Sequence, residues 1–490
     1  MKNLNSLLDN FPLPYQILQG DTNLQIQAIQ FDSRKVQTED VFVAVRGTQT
    51  DGHSYISQAI ERGAKVVICQ TQPATFAEGV TYIQTENSAK FLGFLMSNFY
   101  DNPSHKLKVV GVTGTNGKTT NVTLLYRLFK ALGYKVGLLS TVENRINDTV
   151  YPATLTTPDV HELHLRLAQM VQEKCTYCFM ECSSHAIVQE RIAGVRLTGA
   201  VFTNISHDHL DFHGTFDNYI KAKKKLFDEL PHESFALTNI DDKRGRIMLQ
   251  NCVAKLQKTF ALRSFADFKA KIIENTLHGL CLEIDNQEVW FRLIGSFNAY
   301  NLLSVYATAI LLGQKSHNVL QALSEIEPAQ GRFEQIRSPK GTIGIIDYAH
   351  TPDALENVLK TLQDIKPPHA QIITVVGCGG NRDTTKRPIM AAIACQYSDR
   401  VILTSDNPRF ESPEAILADM QKGVKFNQKH KTQTLVLRQE AIAEACKIAQ
   451  PNDIILVAGK GHETYQEIEG IKYPFDDREV LRKAFESLHT

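Results

Sequence analysis

The segment LKVVGVTGTNGKTTNVTLLYRLFKALG, residues 107–133, constrains this chain more than any other. Its first seven residues are an apolar, β-branched run that reads as a buried strand. Leu124, Leu125, Leu128, Phe129 and Leu132 then recur at helical spacing, and Gly133 stands where a helix C-cap is expected. A strand turning through glycines into a helix is a βα unit, and βα units stack into layered α/β folds. Such a turn aims backbone N–H groups and the positive end of the helix dipole at an anion. Gly114 and Gly117 allow close approach to phosphate oxygens, Lys118 can reach the terminal phosphates, and the Thr119 hydroxyl can face Mg²⁺. The spacing is shorter than GxxxxGK[ST], because Val112 stands where that pattern has glycine. A nucleoside triphosphate is the expected ligand. At this point a motor, a kinase and a ligase are equally compatible with the loop.

The 490 residues are too many for one core, since single cores stop growing near ~250–300 residues. Hydrophobic rhythm divides the chain into three blocks, taken as 1–104, 105–332 and 333–490. The first contains the strand-like runs 40–45 and 64–70 and a helical stretch at 88–100, and Asp101-Asn102-Pro103-Ser104 punctuates its end. The second alternates strand and helix, with strands at 107–113, 175–181, 199–205 and 234–239, which predicts a largely parallel sheet. The third repeats the rhythm with strands at 342–348, 371–377, 400–406, 433–438 and 453–459 and helices at 413–424 and 440–449. The expected architecture is α/β in three domains: a smaller N-terminal one, a central ATP-binding one with the phosphate loop, and a Rossmann-like C-terminal one.

Lysine plus arginine and aspartate plus glutamate each total 53, so no net positive field favours nucleic acid. No apolar run approaches the ~18–20 residues that span a bilayer. The stretch MKNLNSLLDNFPLPYQ lacks the pattern of a secretory signal. The nine cysteines are scattered, which suits a reducing compartment, so a cytoplasmic protein is expected. Cys175 and Cys178 have CxxC spacing, but the surrounding TYCFMECS reads as a buried strand.

Glu181 closes the run at 175–181, and His207, Asp208, His209, Asp211 and His213 crowd just beyond the run at 199–205. Strand ends are where open α/β sheets put ligand-binding groups. Carboxylate plus imidazole suits Mg²⁺, Mn²⁺ or Zn²⁺. A polar loop whose histidines cap neighbouring helices is the plainer alternative. Lys221, Lys223, Lys224 and Lys225 open a helical stretch and, as a charge run, read as a solvated face. In the third block, Arg382, Asp406 to Arg409 and Gly459 to Glu463 each follow a predicted strand and offer both charge signs at one edge.

Taken in order, GTNGKTT, ECSSH, TNISHDHLDFHG, AKKKLF, GSFNAYN (295–301), GRFE (331–334), DYAHTPDAL (347–355), GCGGNRDTTKRP (377–388), SDNPR (405–409) and GKGHE (459–463) resemble the Mur ligase family. The N-terminal FDSRKVQTEDVFVAVRG (31–47) agrees, so the resemblance covers all three blocks. It implies an ATP-dependent amide-forming enzyme of peptidoglycan precursor synthesis, hence of cell-wall biogenesis, cell shape and division. DNPR followed by GKGHE points, within the family, to addition of meso-diaminopimelate to UDP-MurNAc-L-Ala-D-Glu.

Carried onto this sequence, the resemblance implies that Gly114, Thr115, Asn116, Gly117, Lys118, Thr119 and Thr120 hold ATP phosphates. Asn298 and Asn301 would lie near adenine, and Arg332 and Asp347 near phosphates and ribose. Thr119, Glu181, His209 and a carbamylated Lys223 would meet Mg²⁺, making Lys118, Lys223, His209 and Glu181 the catalytic set. Phe31, Ser33, Thr48, Gln49, Thr50, Thr156, Thr157, Ser183, Gln189 and Arg191 would hold the UDP-sugar peptide. Arg382, Asp406, Asn407, Pro408, Arg409, Gly459 and Glu463 would hold the amino acid. Leu155 and Asn381 depart from the family, which often carries Asn and Asp there. A monomer with no nucleic-acid partner is expected. A lysine-adding member, a folylpolyglutamate-type synthetase and an ATP-driven switch are the alternatives.

Overall fold

The computed structural model describes residues 1–47 and 50–487. Among them, three parallel-rich sheets follow one another along the chain. The first runs, in spatial order, Gln16–Gln19, Thr81–Gln84, Val66–Cys69, Val41–Val43, Ile29–Gln30, and only its Gln16–Gln19 edge is antiparallel. Helix Ser88–Phe99 covers one face, packing Phe91 and Leu95 on Val41, Val43, Val66 and Ile68.

The central sheet has eleven strands. Its parallel heart is Val136–Leu139, Tyr177–Glu181, Lys108–Thr113, Gly199–Phe202, Phe235–Asn239 and Leu256–Ala261. All but the marginal Leu256–Ala261, which is partly exposed, are buried runs because helices cover both faces. Helices Lys118–Ala131 and Ser296–Leu311 bury Leu124, Leu128, Leu302 and Val305 on one face. Val160–Gln172 and Phe216–Asp228 bury Leu163, Leu167, Tyr219 and Phe227 on the other. The sheet departs from the expected parallel pattern at both margins. Hairpin Glu143–Ile146/Thr149–Pro152 extends one edge antiparallel; at the other, Phe268–Thr276 joins parallel to Leu256–Ala261 and then pairs antiparallel with Gly279–Ile284, which pairs antiparallel with Gln287–Phe291. Glu143–Ile146 and Gln287–Phe291 alternate more and less buried residues, so they lack the solid apolar run that marks a central strand, whereas Gly279–Ile284 is buried almost throughout.

The third sheet is ordered Glu334–Arg337, Ile343–Asp347, Ile454–Ala458, Ile372–Val376, Arg400–Leu403, Thr432–Thr434, parallel except for its first strand. The strand expected over 433–438 is shorter. It spans Thr432–Thr434 at the sheet edge, and Arg438 already begins helix Arg438–Ile448. No helix among the described residues is long and apolar enough to cross a membrane.

Candidate active site

One cavity of about 730 Å³ runs between the central and third sheets. Its central wall is the loop Thr115 to Thr120 at the start of helix Lys118–Ala131. Gly117 takes φ +86°, and a Cβ there would lie 2.7 Å from Asn301 Oδ1, so glycine is required on both counts. Asn301 Oδ1 accepts from Asn121 Nδ2 at 2.9 Å, and Asn301 Nδ2 donates to Asn298 Oδ1 at 2.9 Å. This buried amide chain pins the loop from behind, and both Asn298 and Asn301 line the cavity. Arg332 donates to Thr119 Oγ1 at 3.1 Å and lies 4.5 Å from the Tyr348 ring centre. Asp347 accepts from the Phe333 and Ala349 N–H groups at 2.7 and 2.8 Å, which shapes the turn that carries Arg332.

Beside the loop, Glu181 Oε1 accepts from the Thr141 N–H at 2.8 Å and its hydroxyl at 3.1 Å, while Oε2 is buried with no partner. A carboxylate oxygen left bare in the interior is costly unless a cation meets it. His209, at φ +54°, faces the same space, and burial lowers its pKa to about 4, against the pull of Asp208. A neutral imidazole keeps a lone pair for a metal. Hydroxyl, carboxylate and imidazole therefore fit Mg²⁺ at Thr119, Glu181 and His209.

One expectation needs correction. Lys223 is not on a solvated face: it is 1% exposed. The lysine run falls in the second half of helix Phe216–Asp228, whose buried stripe is Tyr219, Ala222, Lys223, Leu226 and Phe227. Lys221 is exposed, Lys224 pairs with Asp228, and Lys225 pairs with Glu190. Lys223 Nζ donates to the Gly114 carbonyl at 2.8 Å, and burial, aided by the charge of Lys118, pushes its pKa well down. Of the histidine-rich loop, Asp208, His209 and Asp211 line the cavity, while His213 turns away from it. No group of three or more His, Cys, Asp or Glu suited to a metal occurs among the described residues. Instead His185, His209, Phe212, His213 and Tyr219 pack ring on ring, and His213 Nε2 lies 2.9 Å from Ser184 Oγ. Aromatic stacking was the missed signal, since imidazole packs as readily as it ligates.

The opposite wall comes from the third sheet. Arg382, Asp406, Asn407, Arg409, Gly459 and Glu463 line the cavity at the C-terminal ends of three adjacent strands. Pro408 is buried behind them. Arg409 holds φ +52°, a conformation rare outside glycine, and its Nη1 donates to the Gly380 carbonyl at 2.8 Å. Its Nε lies 3.4 Å from Glu467. Asn381 accepts from the Phe410 N–H at 3.1 Å, so this departure from the family pattern braces the loop next to Arg409. Lys460, unforeseen in the sequence, is fully buried and binds Glu463 at 3.0 Å and Asn407 Oδ1 at 3.2 Å.

Thr156 reaches the cavity through Thr141. Thr157, Ser183, Gln189 and Arg191 form a network behind Glu181. The Thr157 hydroxyl donates to the Glu181 carbonyl at 2.8 Å, the Ser183 N–H donates to Thr157 Oγ1 at 3.1 Å, and Arg191 binds both Thr157 O and Gln189. Ser33 binds Gln58 at 2.8 Å, and Phe31 and Thr50 are exposed in the N-terminal block, away from this cavity. Thr48 and Gln49 lie outside the described residues. Thr141 was overlooked although it follows the strand Val136–Leu139, where the strand-end argument also applies.

Three family models match the chain: Mur ligase family, catalytic domain, over residues 25–100; Mur ligase middle domain, over 112–309; and Mur ligase, glutamate ligase domain, over 331–461. The chain belongs to the Mur ligase family. Among its relatives is a Cytophaga hutchinsonii protein named UDP-N-acetylmuramoyl-L-alanyl-D-glutamate–2,6-diaminopimelate ligase, 59% identical over 470 residues and 96% of each chain. A Bacteroides fragilis protein of the same name is 53% identical over 95% of this chain and 96% of its own. A solved structure of a ligase so named superposes with a TM-score of 0.70 at 31% identity, covering 99% of both chains. The three-sheet architecture is thus that of the Mur ligases, and the cavity lies where their middle and glutamate ligase models meet.

Proposed function

We propose that this Mur ligase joins 2,6-diaminopimelate, in its meso form, to UDP-MurNAc-L-Ala-D-Glu at the expense of ATP. The observation that carries this reading is the single cavity that faces a phosphate loop, with Lys118, toward a mixed-charge edge containing Arg382, Asp406, Arg409 and Glu463. Gly114 to Thr120 cradle the phosphates, with Asn298, Asn301, Arg332 and Asp347 completing the nucleotide site. The D-glutamate side-chain carboxylate attacks the γ-phosphorus, the P–O bond to ADP breaks, and an acyl phosphate forms. The free amine then attacks the acyl carbon, the C–O bond to phosphate breaks, and inorganic phosphate and a proton are released. Lys118 places a cation on the transferring phosphoryl group, and both walls hold their substrates in line.

Thr119, Glu181, His209 and Lys223 would hold Mg²⁺, which when bound supplies positive charge at the phosphate oxygens. Lys223 suits that role as a carbamate. Its neutral amine can add CO₂ and lose a proton, which puts an anion behind the Gly114 turn next to Lys118. The network of Thr156, Thr157, Ser183, Gln189 and Arg191, with Phe31, Ser33 and the 48–50 loop, is assigned to the UDP-sugar peptide. We assign residues 1–104, 105–332 and 333–490 to the three domains. The buried cysteines support a cytoplasmic setting, and we take the enzyme to act as a monomer.

ADP release with UDP-MurNAc-L-Ala-D-Glu, comparing diaminopimelate with lysine, tests the reading. Release that depends on both the dipeptide and diaminopimelate is expected. Release independent of either substrate would indicate an ATPase switch, and release with lysine alone a lysine-adding ligase.

A further inference from the structure

Asp353 opens helix Pro352–Ile365 in the third sheet layer and, besides Asn357 of its own helix, it reaches into the central one. Its Oδ2 accepts from Asn116 Nδ2 at 2.8 Å and from Ser206 Oγ at 3.1 Å, partners 237 and 147 residues away in sequence. An acidic residue in a helix's first turn is favourable by itself and needs no partner. It does not need to be buried either, and burial raises the Asp353 pKa while these two hydrogen bonds oppose the rise. No ammonium or guanidinium pairs with it among the described residues. The Asn116 main chain is already engaged: its N–H donates to Asn204 Oδ1 at 3.0 Å, and its carbonyl accepts from Thr203 Oγ1 at 2.6 Å. Its side-chain amide is therefore free to read the other layer without reshaping the phosphate loop. Ser206 belongs to the loop that leads into Asp208 and His209. One carboxylate thus ties both ATP-side loops to the helix that follows Asp347.

The N-terminal layer is joined differently. There Gly93 and Gly194 meet backbone to backbone, and a Cβ on Gly93 would come within 2.4 Å of the Ala193 carbonyl. The third layer shares an apolar seam with the central one, where Leu277, Ile294 and Phe297 pack on Phe333, Leu355 and Leu359, and at the cavity itself it adds polar links, of which Asp353 makes two.

We propose that Asp353 is a positioning residue for the second half of the reaction, holding the amino-acid edge over the acyl phosphate formed at the ATP edge. This rests on the ligase reading above. The first half, phosphoryl transfer to the glutamate carboxylate, uses chiefly the phosphate loop of the central layer, with Asp347 the third sheet's contribution to the nucleotide site. Amine attack needs Arg382, Asp406, Arg409 and Glu463 brought to the acyl carbon, and a small misplacement there costs rate steeply.

The test separates the halves. In ATP carrying heavy oxygen at the β,γ bridge, reversible acyl-phosphate formation with UDP-MurNAc-L-Ala-D-Glu alone scrambles the label; full ligation is read as amide product with diaminopimelate. Asp353→Ala should keep scrambling within about twofold while ligation turnover falls by roughly tenfold or more. Asp353→Asn, whose amide oxygen can still accept from Asn116, should regain most of the turnover. Ser206→Ala, which removes one link and leaves the helix untouched, should show the same split to a smaller degree, and it carries the test if Asp353→Ala does not fold. Equal losses in both halves, no loss in either, or an Asn variant as poor as Ala would overturn the proposal. A wild-type protein that neither scrambles label nor releases ADP with diaminopimelate would overturn the ligase reading instead.

Discussion

Lys118 and Lys223 direct their side-chain nitrogens at one acceptor, the Gly114 carbonyl, from 2.9 and 2.8 Å. Two ammonium groups cannot share a single buried carbonyl without strong repulsion. Burial lowers the pKa of both, but Glu181 and Asp208 pull that of Lys118 back up, so the conflict resolves if Lys223, enclosed by its helix and the Tyr219 ring and pushed down further by the charge of Lys118, is the one that gives up its proton. One lysine is then a cation for phosphate and the other a neutral amine open to CO₂.

Lys118→Ala should leave the fold intact, because the lost charge faces the cavity and not a core. Ligation should fall by ~10³-fold or more, of the order seen when a transition-state charge clamp is removed. Steady-state ADP release on protein with an unchanged circular dichroism spectrum checks this, and wild-type turnover would refute the ATP assignment.

Lys223→Ala should also abolish turnover, and a short carboxylic acid in the assay should restore part of it by filling the vacated anion position. Lys221→Ala should stay near wild type, since Lys221 is exposed. In the wild type, turnover should rise with added bicarbonate in protein stripped of CO₂. Equal sensitivity at positions 221 and 223 would argue against a site-specific anion.

Arg409→Ala should lose most of the preference for diaminopimelate over lysine. A guanidinium binds the distal carboxylate through two parallel hydrogen bonds, whereas the ammonium end of lysine presents a like charge. Discrimination in wild-type kcat/KM should exceed ~10²-fold. Comparable kcat/KM for the two amino acids in the wild type would mean that another residue selects.

Gly117→Ala should weaken both stability and nucleotide use. The left-handed backbone costs an L-residue roughly 1–2 kcal/mol, and the new Cβ would press on Asn301 Oδ1 at 2.7 Å. A lowered thermal midpoint together with a raised KM for ATP is expected.

Acid should destabilise the protein through its buried imidazoles. Burial lowers the pKa of His164, His185, His213 and His350 to about 4, below the ordinary 6.5. Between those values the unfolded chain binds protons that the folded chain does not, so stability present above pH 6.5 is lost as pH falls toward 4. Each such histidine contributes on the order of 1.4 kcal/mol per pH unit inside the window. His164→Gln, which removes one of them, should flatten the fall in thermal midpoint between pH 7 and pH 5.

Much of the site was legible because its signals are local. The phosphate loop is a run of neighbours, and the amino-acid edge follows from strand ends that apolar runs mark by themselves. Even the burial of Lys223 was readable: it stands four residues after Tyr219 and four before Phe227, on the apolar stripe of its helix. The surrounding lysines hid that register. Lys460, two residues past the strand Ile454–Ala458, gave no such sign, because a lysine in a loop is ordinarily solvated.

The sequence by itself determined the βα phosphate turn, the alternation of strands and helices, and the family, since backbone preference and hydrophobic period act between residues a few positions apart. Only the tertiary structure decided that the histidine loop stacks as rings and leaves one bare oxygen on Glu181. It alone showed that Asn116 meets Asp353, and that the Lys223 amine is desolvated beside Lys118. Desolvation and pairing depend on which distant segments arrive together and exclude water, and no local pattern carries that information.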